Sequence, residues 1–310
     1  MAKPDGCTYP NCFICPLADC SWSSAKAELH GETKKKRRKK KKASGFKIKF
    51  DRLKHKYKTL SKKKKKAVNA IIIILCVALI AGLCAVAVAI HNDKVENFKF
   101  NTDKDYVSGI DVSSHNGDID WETVADNVDF AFIRVGYSGY SNGALSTDNK
   151  ARYNLKHANK ANVPIGVYFY SQATTKDEAV KEAEYTLEII KHYDISLPVV
   201  IDFEYAYEKD GSLGGRLKGA NLTKYQAAEI INAFCDTVSD AGYKPGVYAN
   251  THFYESKIDV KSLKSGITIW VADYNKSNTY NGKFDIWQYS NTGKCDGINS
   301  KYVDKNYWYI

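Results

Sequence analysis

From about residue 106 onward, short apolar runs alternate with longer stretches in which apolar residues recur every three or four positions. The first kind of run predicts buried strands and the second amphipathic helices. Strands are expected over 106–113, 129–137, 164–171, 197–205 and 244–250, then over 268–274, 284–290 and 302–310. Helices are expected over 120–126, 150–162, 175–193 and 223–241. Thr175 with Glu178, and Thr223 with Gln226, have capping-box spacing at the starts of the last two. The helical pattern fades after residue 250. Repeated β/α units closed by strands alone predict an α/β fold, a parallel sheet rolled into a barrel.

The most concentrated of the runs is 197–205, LPVVIDFEY. It is apolar, β-branched and opened by proline, then ends in two acids. On a strand Asp202 and Glu204 project to one side and Phe203 to the other. Two neighbouring carboxylates at the end of a buried strand repel each other and lie near a low-dielectric interior. At least one should ionise late, which suits a general acid at neutral pH. An isolated DxE is equally well a strand end meeting water, so its setting decides.

A different pattern occupies 67–90, AVNAIIIILCVALIAGLCAVAVAI, which holds no charge and one strongly polar residue, Asn69. As a helix it is about 36 Å long at ~1.5 Å per residue, enough for a hydrocarbon core of ~30 Å. It starts far from the N-terminus, its apolar core is too long and no clear A-x-A site follows it, which argues against a cleaved signal peptide. Charge sharpens the picture. Residues 1–66 hold 22 Lys+Arg against 5 Asp+Glu, or +17; the totals of 46 and 35 leave 24 against 30, or −6, for the rest. Lysines 62–66 abut the span and a second basic run fills 34–42. Positive charge stays in the cytoplasm. The expected organisation is therefore a cytoplasmic Cys-rich segment (1–20), a polybasic linker (21–66), a single-pass membrane helix (67–90), a linker (91–105) and an extracellular barrel (106–310). The basic flank suits anionic lipid, and the mildly acidic barrel does not suggest nucleic acid as a partner.

Cys7, Cys12, Cys15 and Cys20 stand in a C-x4-C-x2-C-x4-C array. On the cytoplasmic side they would be reduced. They are either a tetrahedral Zn²⁺ site, an iron–sulfur site, or free thiols of a tail. Cys235 and Cys295 lie in the barrel, and whether they pair is open.

In a β/α barrel chemistry gathers at the carboxyl ends of the strands. Acids and amides recur at those places: Asp111, Asp202, Glu204, Asp273 and Gln288. So do aromatics: Tyr137, Tyr168, Tyr170, Tyr205, Trp270, Tyr274, Trp287 and Tyr289. Carboxylates among aromatic faces suit a carbohydrate cleft, although any one of these rings alone is as well explained by core packing.

Residues 106–310 resemble the glycoside hydrolase family 25 lysozymes, the Chalaropsis-type N-acetylmuramidases. The matching stretches are GIDVSSHNGDIDW (109–121), FAFIRVGYSGY (130–140), the D-N-x3-Y-x3-H-A-N pattern (148–159), PIGVYFYS, VVIDFEY, GVYAN, IWVADY, IWQYS and VDKNYW (303–308), in the family's order. The resemblance implies an irregular (β/α)5(β)3 barrel that cleaves the β-1,4 bond between N-acetylmuramic acid and N-acetylglucosamine in peptidoglycan, with no cofactor for catalysis. It makes Glu204 the general acid, Asp202 its partner, and Asp111 and Asp304 the further acids of the pocket. Tyr137, Tyr168, Tyr170, Tyr205, Trp270, Asp273, Trp287 and Gln288 are then the expected substrate contacts. The RVGY segment departs from the older family signature, which has a lysine and an acid there. GDIDWE (117–122) looks like part of the acid box of family 18 chitinases. It follows a polar turn and precedes helical sequence, so Asp118 or Asp120 reads better as a helix cap.

The resemblance favours a substrate-assisted route, in which Asp202 directs the substrate acetamido group and the anomeric configuration is retained. A carboxylate-activated water, giving inversion, is the alternative. A non-catalytic glycan-binding module and a chitinase-like hexosaminidase are the competing functions.

Overall fold

The computed structural model describes residues 52–96, 98–207 and 210–310. The four N-terminal cysteines and the basic run at 34–42 lie outside these. Helix α1, Lys62–Glu96, contains the apolar span and extends past both of its expected ends. Within it Lys62–Leu83 is long and apolar enough to cross a membrane, with a mean hydropathy of 2.5. Its large apolar side chains are exposed from Ile71 to Val86.

The second unit is built on eight strands: β1 (Tyr106–Val112), β2 (Phe130–Ser138), β3 (Ile165–Tyr170), β4 (Val199–Asp202), β5 (Pro245–Asn250), β6 (Thr268–Ala272), β7 (Ile286–Gly293) and β8 (Val303–Tyr309). They pair in the order β1-β8-β7-β6-β5-β4-β3-β2, and β2 pairs back onto β1, so the sheet closes. Strands β1 to β7 run parallel wherever they touch. Strand β8 runs antiparallel to both β7 and β1, which corrects the expectation of an all-parallel sheet. The loop over 294–302 holds no crossover helix, so β8 returns beside β7 as a hairpin partner. Closure leaves none of the eight barrel strands unpaired, and a short strand, Leu145–Thr147, adds antiparallel to the end of β2.

Helices α2 (Trp121–Ala125), α3 (Ala151–Lys160), α4 (Lys176–Ile190) and α5 (Lys224–Asp240) pack outside the early strands. Asp120 caps α2 by accepting from the Thr123 N–H, as its sequence position suggested. The Thr223–Gln226 box forms in full. At α4 only half of the expected box exists. Thr175 accepts from the Glu178 N–H, but the Glu178 carboxylate turns away to Thr174 and Arg216.

The barrel interior is filled by Phe130, Phe132, Trp270 and Trp308 with Val107, Val200 and Ile286. Room for the rings comes from glycine. A Cβ on Gly109 would lie 2.5 Å from Phe130, and one on Gly166 would lie 2.3 Å from Phe132. The floor is sealed by residues expected to be linker: Phe100 packs on Phe130 and Trp308, with centroids 5.9 and 5.5 Å apart. The incoming chain thus joins the barrel at the end opposite the carboxyl ends of its parallel strands. Cys235 and Cys295 are both buried free thiols, not a disulfide.

Candidate active site

Strand β4 is buried on every residue and its ladder stops at Asp202. The chain continues without strand pairing, and the Phe203 N–H donates to the Tyr248 carbonyl. Glu204 follows at the mouth. On the far side of the mouth the β1–β8 register sets Asp111 directly opposite Asp304. The four acids named from sequence are therefore brought together by the ends of β1, β4 and β8.

Their electrostatics are coupled. Burial raises the Glu204 carboxyl to about 7, with the Asp111 charge adding to the shift. Burial, then the charges of Glu204 and Asp111, lift Asp202 well above the ordinary carboxylate range, while Arg134 opposes them. Asp111 rises to about 6 through burial, held down by hydrogen bonds from Asn306, Gln288 and Asp304. Asp304 rises to about 8 through burial and the Asp111 and Glu204 charges. The Asp111–Asp304 hydrogen bond favours the proton on Asp304 and the charge on Asp111. Four carboxyls that feel one another's charge at one mouth cannot all ionise at neutral pH, and their protons come off as a set.

Asp111 Oδ2 accepts from Gln288 Nε2 and Asn306 Nδ2, both at 2.8 Å. Gln288 Oε1 in turn accepts from the Tyr248 and Tyr274 hydroxyls at 2.9 and 2.6 Å. Asn306 Oδ1 accepts from Trp270 Nε1 at 2.9 Å. Gln288 is thus buried and turned to Asp111, which argues for orienting that acid rather than for the direct substrate contact expected. Trp270 is corrected too: it is 1% exposed inside the barrel and supports Asn306 from below. Asp273 is closed on its own loop. Hydrogen bonds from Thr279 and Asn275 outweigh its burial and hold it below the ordinary range. Trp287 alternates with the inward Ile286 and Gln288, so it faces outward, its Nε1 donating to the Asp273 carbonyl at 2.7 Å.

Four expected tyrosines are half-buried on the remaining strand ends. Tyr168 is within electrostatic reach of Asp111, Asp202 and Asp304, and Tyr170 of Asp202 and Glu204. Tyr137 lies under the Arg134 guanidinium, 5.6 Å from ring centroid to carbon. Tyr205 packs on Phe253 with centroids 4.6 Å apart. Tyr274 is 51% exposed and offers the most open ring beside the acids.

Arg134, Asn306 and Tyr248 lie against these groups and are positions that the sequence reading passed over. Arg134 is held by an ion pair to the buried Asp148 at 2.8 Å and reaches Ser114 Oγ at 3.2 Å. It is the cation that tempers Asp202. A signal existed: Arg134 follows Phe132, and Asn306 follows Asp304, at the two-residue period of an inward face. Among the described residues no group of three or more His, Cys, Asp or Glu is arranged to hold a metal ion.

The shared-proton acids make a stability prediction. Asp304 ionises near 3.8 in the unfolded chain and near 8 in the fold. Its protonated form is favoured by folding, so stability is lost as pH rises through that window. Asp304→Asn keeps a donor for Asp111 and removes this loss. We expect a melting temperature several degrees above wild type at pH 8 and little difference at pH 4, read by calorimetry.

A closed β/α barrel with carboxyls of staggered acidity at its carboxyl-end mouth and tyrosines around them has the build of a glycoside hydrolase. The chain belongs to glycosyl hydrolases family 25, whose family model matches residues 110–298. The matched segment takes in Asp111, Asp202 and Glu204, and Asp304 lies just beyond it. YegX of Escherichia coli K12, which is uncharacterized, is 26% identical over 221 residues, covering 68% of this chain and 73% of YegX. A lysozyme of Lactococcus phage mv1 is 29% identical over 106 residues, or 34% of this chain and 49% of the phage protein. Among solved structures, the modular autolysin LytC of Streptococcus pneumoniae, determined with a synthetic peptidoglycan ligand, is 30% identical with a TM-score of 0.55. That match covers 66% of this chain but spans only 47% of the autolysin. A family 25 glycosyl hydrolase from Bacillus anthracis is 27% identical with a TM-score of 0.53, over 68% of this chain and 92% of that one.

Proposed function

We propose that this protein hydrolyses bacterial peptidoglycan at the β-1,4 bond between N-acetylmuramic acid and N-acetylglucosamine, needing no cofactor for catalysis. The observation that carries the reading is the DxE end of β4, where Glu204 titrates near neutrality beside three further acids. The autolysin with its peptidoglycan ligand and the phage lysozyme support the substrate class.

In this mechanism protonated Glu204 gives its proton to the glycosidic oxygen as the bond breaks. Asp202 orients the neighbouring acetamido group, whose carbonyl oxygen attacks the anomeric carbon. Glu204, now ionised, takes a proton from the water that opens the cyclic intermediate, so it is regenerated and the configuration is retained. Asp111, held by Gln288 and Asn306, supports the developing positive charge and shares a proton with Asp304. Tyr137, Tyr168, Tyr170, Tyr205 and Tyr274 line the glycan path.

The apolar stretch Lys62–Leu83 and its lysine flank support a single-pass anchor, with the N-terminus in the cytoplasm and the barrel outside. Protease accessibility on intact cells tests this: a protected barrel would overturn it. The reaction is tested by borohydride reduction of the products from purified walls. Reduced muramic acid at the new ends is expected. Reduced glucosamine would make the protein a glucosaminidase, and no new ends would make it a binding module. Comparable cleavage of chitin would make it a broader hexosaminidase.

A further inference from the structure

Glu204 stands two residues past the end of β4, where no sheet ladder fixes the chain. Its backbone carbonyl is instead held by a side chain, with Gln172 Nε2 donating to it at 3.2 Å. Gln172 is fully buried and has no freedom of its own. Nε2 also donates to the Ser171 carbonyl at 2.8 Å, and Oε1 accepts from the Leu217 N–H at 3.4 Å. The Gln172 main chain is pinned from the other side by Glu182 of α4, whose Oε1 accepts from the Gln172 N–H at 3.3 Å. The same oxygen accepts from the Ser138 hydroxyl at the end of β2.

Glu182 is an unusual residue for its place. It is 1% exposed, on the apolar face of α4 between Ala179, Ala183 and Thr186. Among the described residues its Oε2 has no hydrogen-bond partner, and no cation pairs with it. A buried carboxyl so placed is a net cost to the fold, and an apolar residue of that size would serve packing better. Its carboxyl is raised to about 7 by burial, against the hydrogen bonds from Ser138 and Gln172. What it provides is a rigid link between the ends of β2 and β3 and, through Gln172, the acid loop.

We propose that Glu182 and Gln172 are positioning residues, a buried polar strut that fixes the main chain at Glu204 and so aims its carboxyl at the glycosidic oxygen. The inference rests on Glu204 being the acid. Misplacing a reacting group by about 1 Å lowers the rate by up to ~100-fold without weakening binding.

The test uses the full-length chain acting on a soluble glycan strand. Gln172→Met keeps the volume and removes the bond to Glu204. Glu182→Leu removes the pin, while Glu182→Gln leaves an amide oxygen to accept from the same two donors. Gln172→Met and Glu182→Leu should lower kcat by about 10- to 100-fold with KM within threefold and melting little changed. Glu182→Gln should retain most of kcat. If Gln172→Met does not fold, the two Glu182 variants decide. Wild-type kcat in folded Gln172→Met or Glu182→Leu overturns the strut, as does a rise in KM alone, or a loss in Glu182→Gln equal to that in Glu182→Leu. Glu204→Gln run alongside separates the two readings: activity in that variant means that the acid assignment has failed, not the strut.

Discussion

Glu204→Gln should lower the rate of wall hydrolysis by about 10³- to 10⁴-fold while the barrel stays folded. The glutamine fills the same space and cannot deliver a proton to the glycosidic oxygen. No other acid replaces it at that position. Asp111 is committed to Gln288 and Asn306, and Asp304 is committed to Asp111. The stability change should have the opposite sign to the activity change. Glu204 ionises near 4.5 in the unfolded chain and near 7 in the fold, so its contribution to stability is lost as pH rises through that interval. Removing the group should therefore raise the melting temperature at pH 8 and leave it nearly unchanged at pH 4. Turnover and calorimetry on one preparation give both readouts. Loss of activity with loss of fold would not support the assignment, and near-normal hydrolysis by a folded variant would refute it.

Most of this site is legible in the sequence because strand chemistry has a period of two. LPVVIDFEY announces a buried strand ending in two acids, and β4 follows it as far as Asp202, whereas Glu204 lies two residues past the ladder. The direction of β8 was not legible, since an alternating strand pattern has no polarity. Its hairpin connection decides that in space. The aromatics were legible as residues but not as places. Both faces of a barrel strand are apolar, so Trp270 in the interior and Trp287 on the outside read alike. Glu182 could have been found. Ala179, Glu182, Ala183, Thr186 and Ile190 make one helical stripe, and an acid on that stripe conflicts with its pattern. Gln172 has no such signal, because nothing in the chain near residue 172 shows that the Glu204 carbonyl comes to lie against it.

The second large effect concerns Asp202. Its Oδ1 is buried and has no hydrogen-bond partner among the described residues, although the carboxyl faces Glu204 and Asp111. An acceptor kept in that condition is costly unless substrate supplies a donor, and the N–H of an acetamido group is a donor of the right kind. Asp202→Asn turns one acceptor oxygen into an amide nitrogen, so the acetamido group loses its orienting partner. We expect a fall of about 10²-fold or more in kcat, smaller than that of Glu204→Gln, since the proton donor remains. Chemistry on the substrate gives the sharper readout. Wild type should fail on walls whose reacting sugar carries a free amine in place of the acetamido group. On those walls Asp202→Asn should add no further loss, because the two changes remove the same interaction. If wild type cleaves de-N-acetylated walls at its ordinary rate, the nucleophile is water, Asp202 is its base, and the products should be inverted.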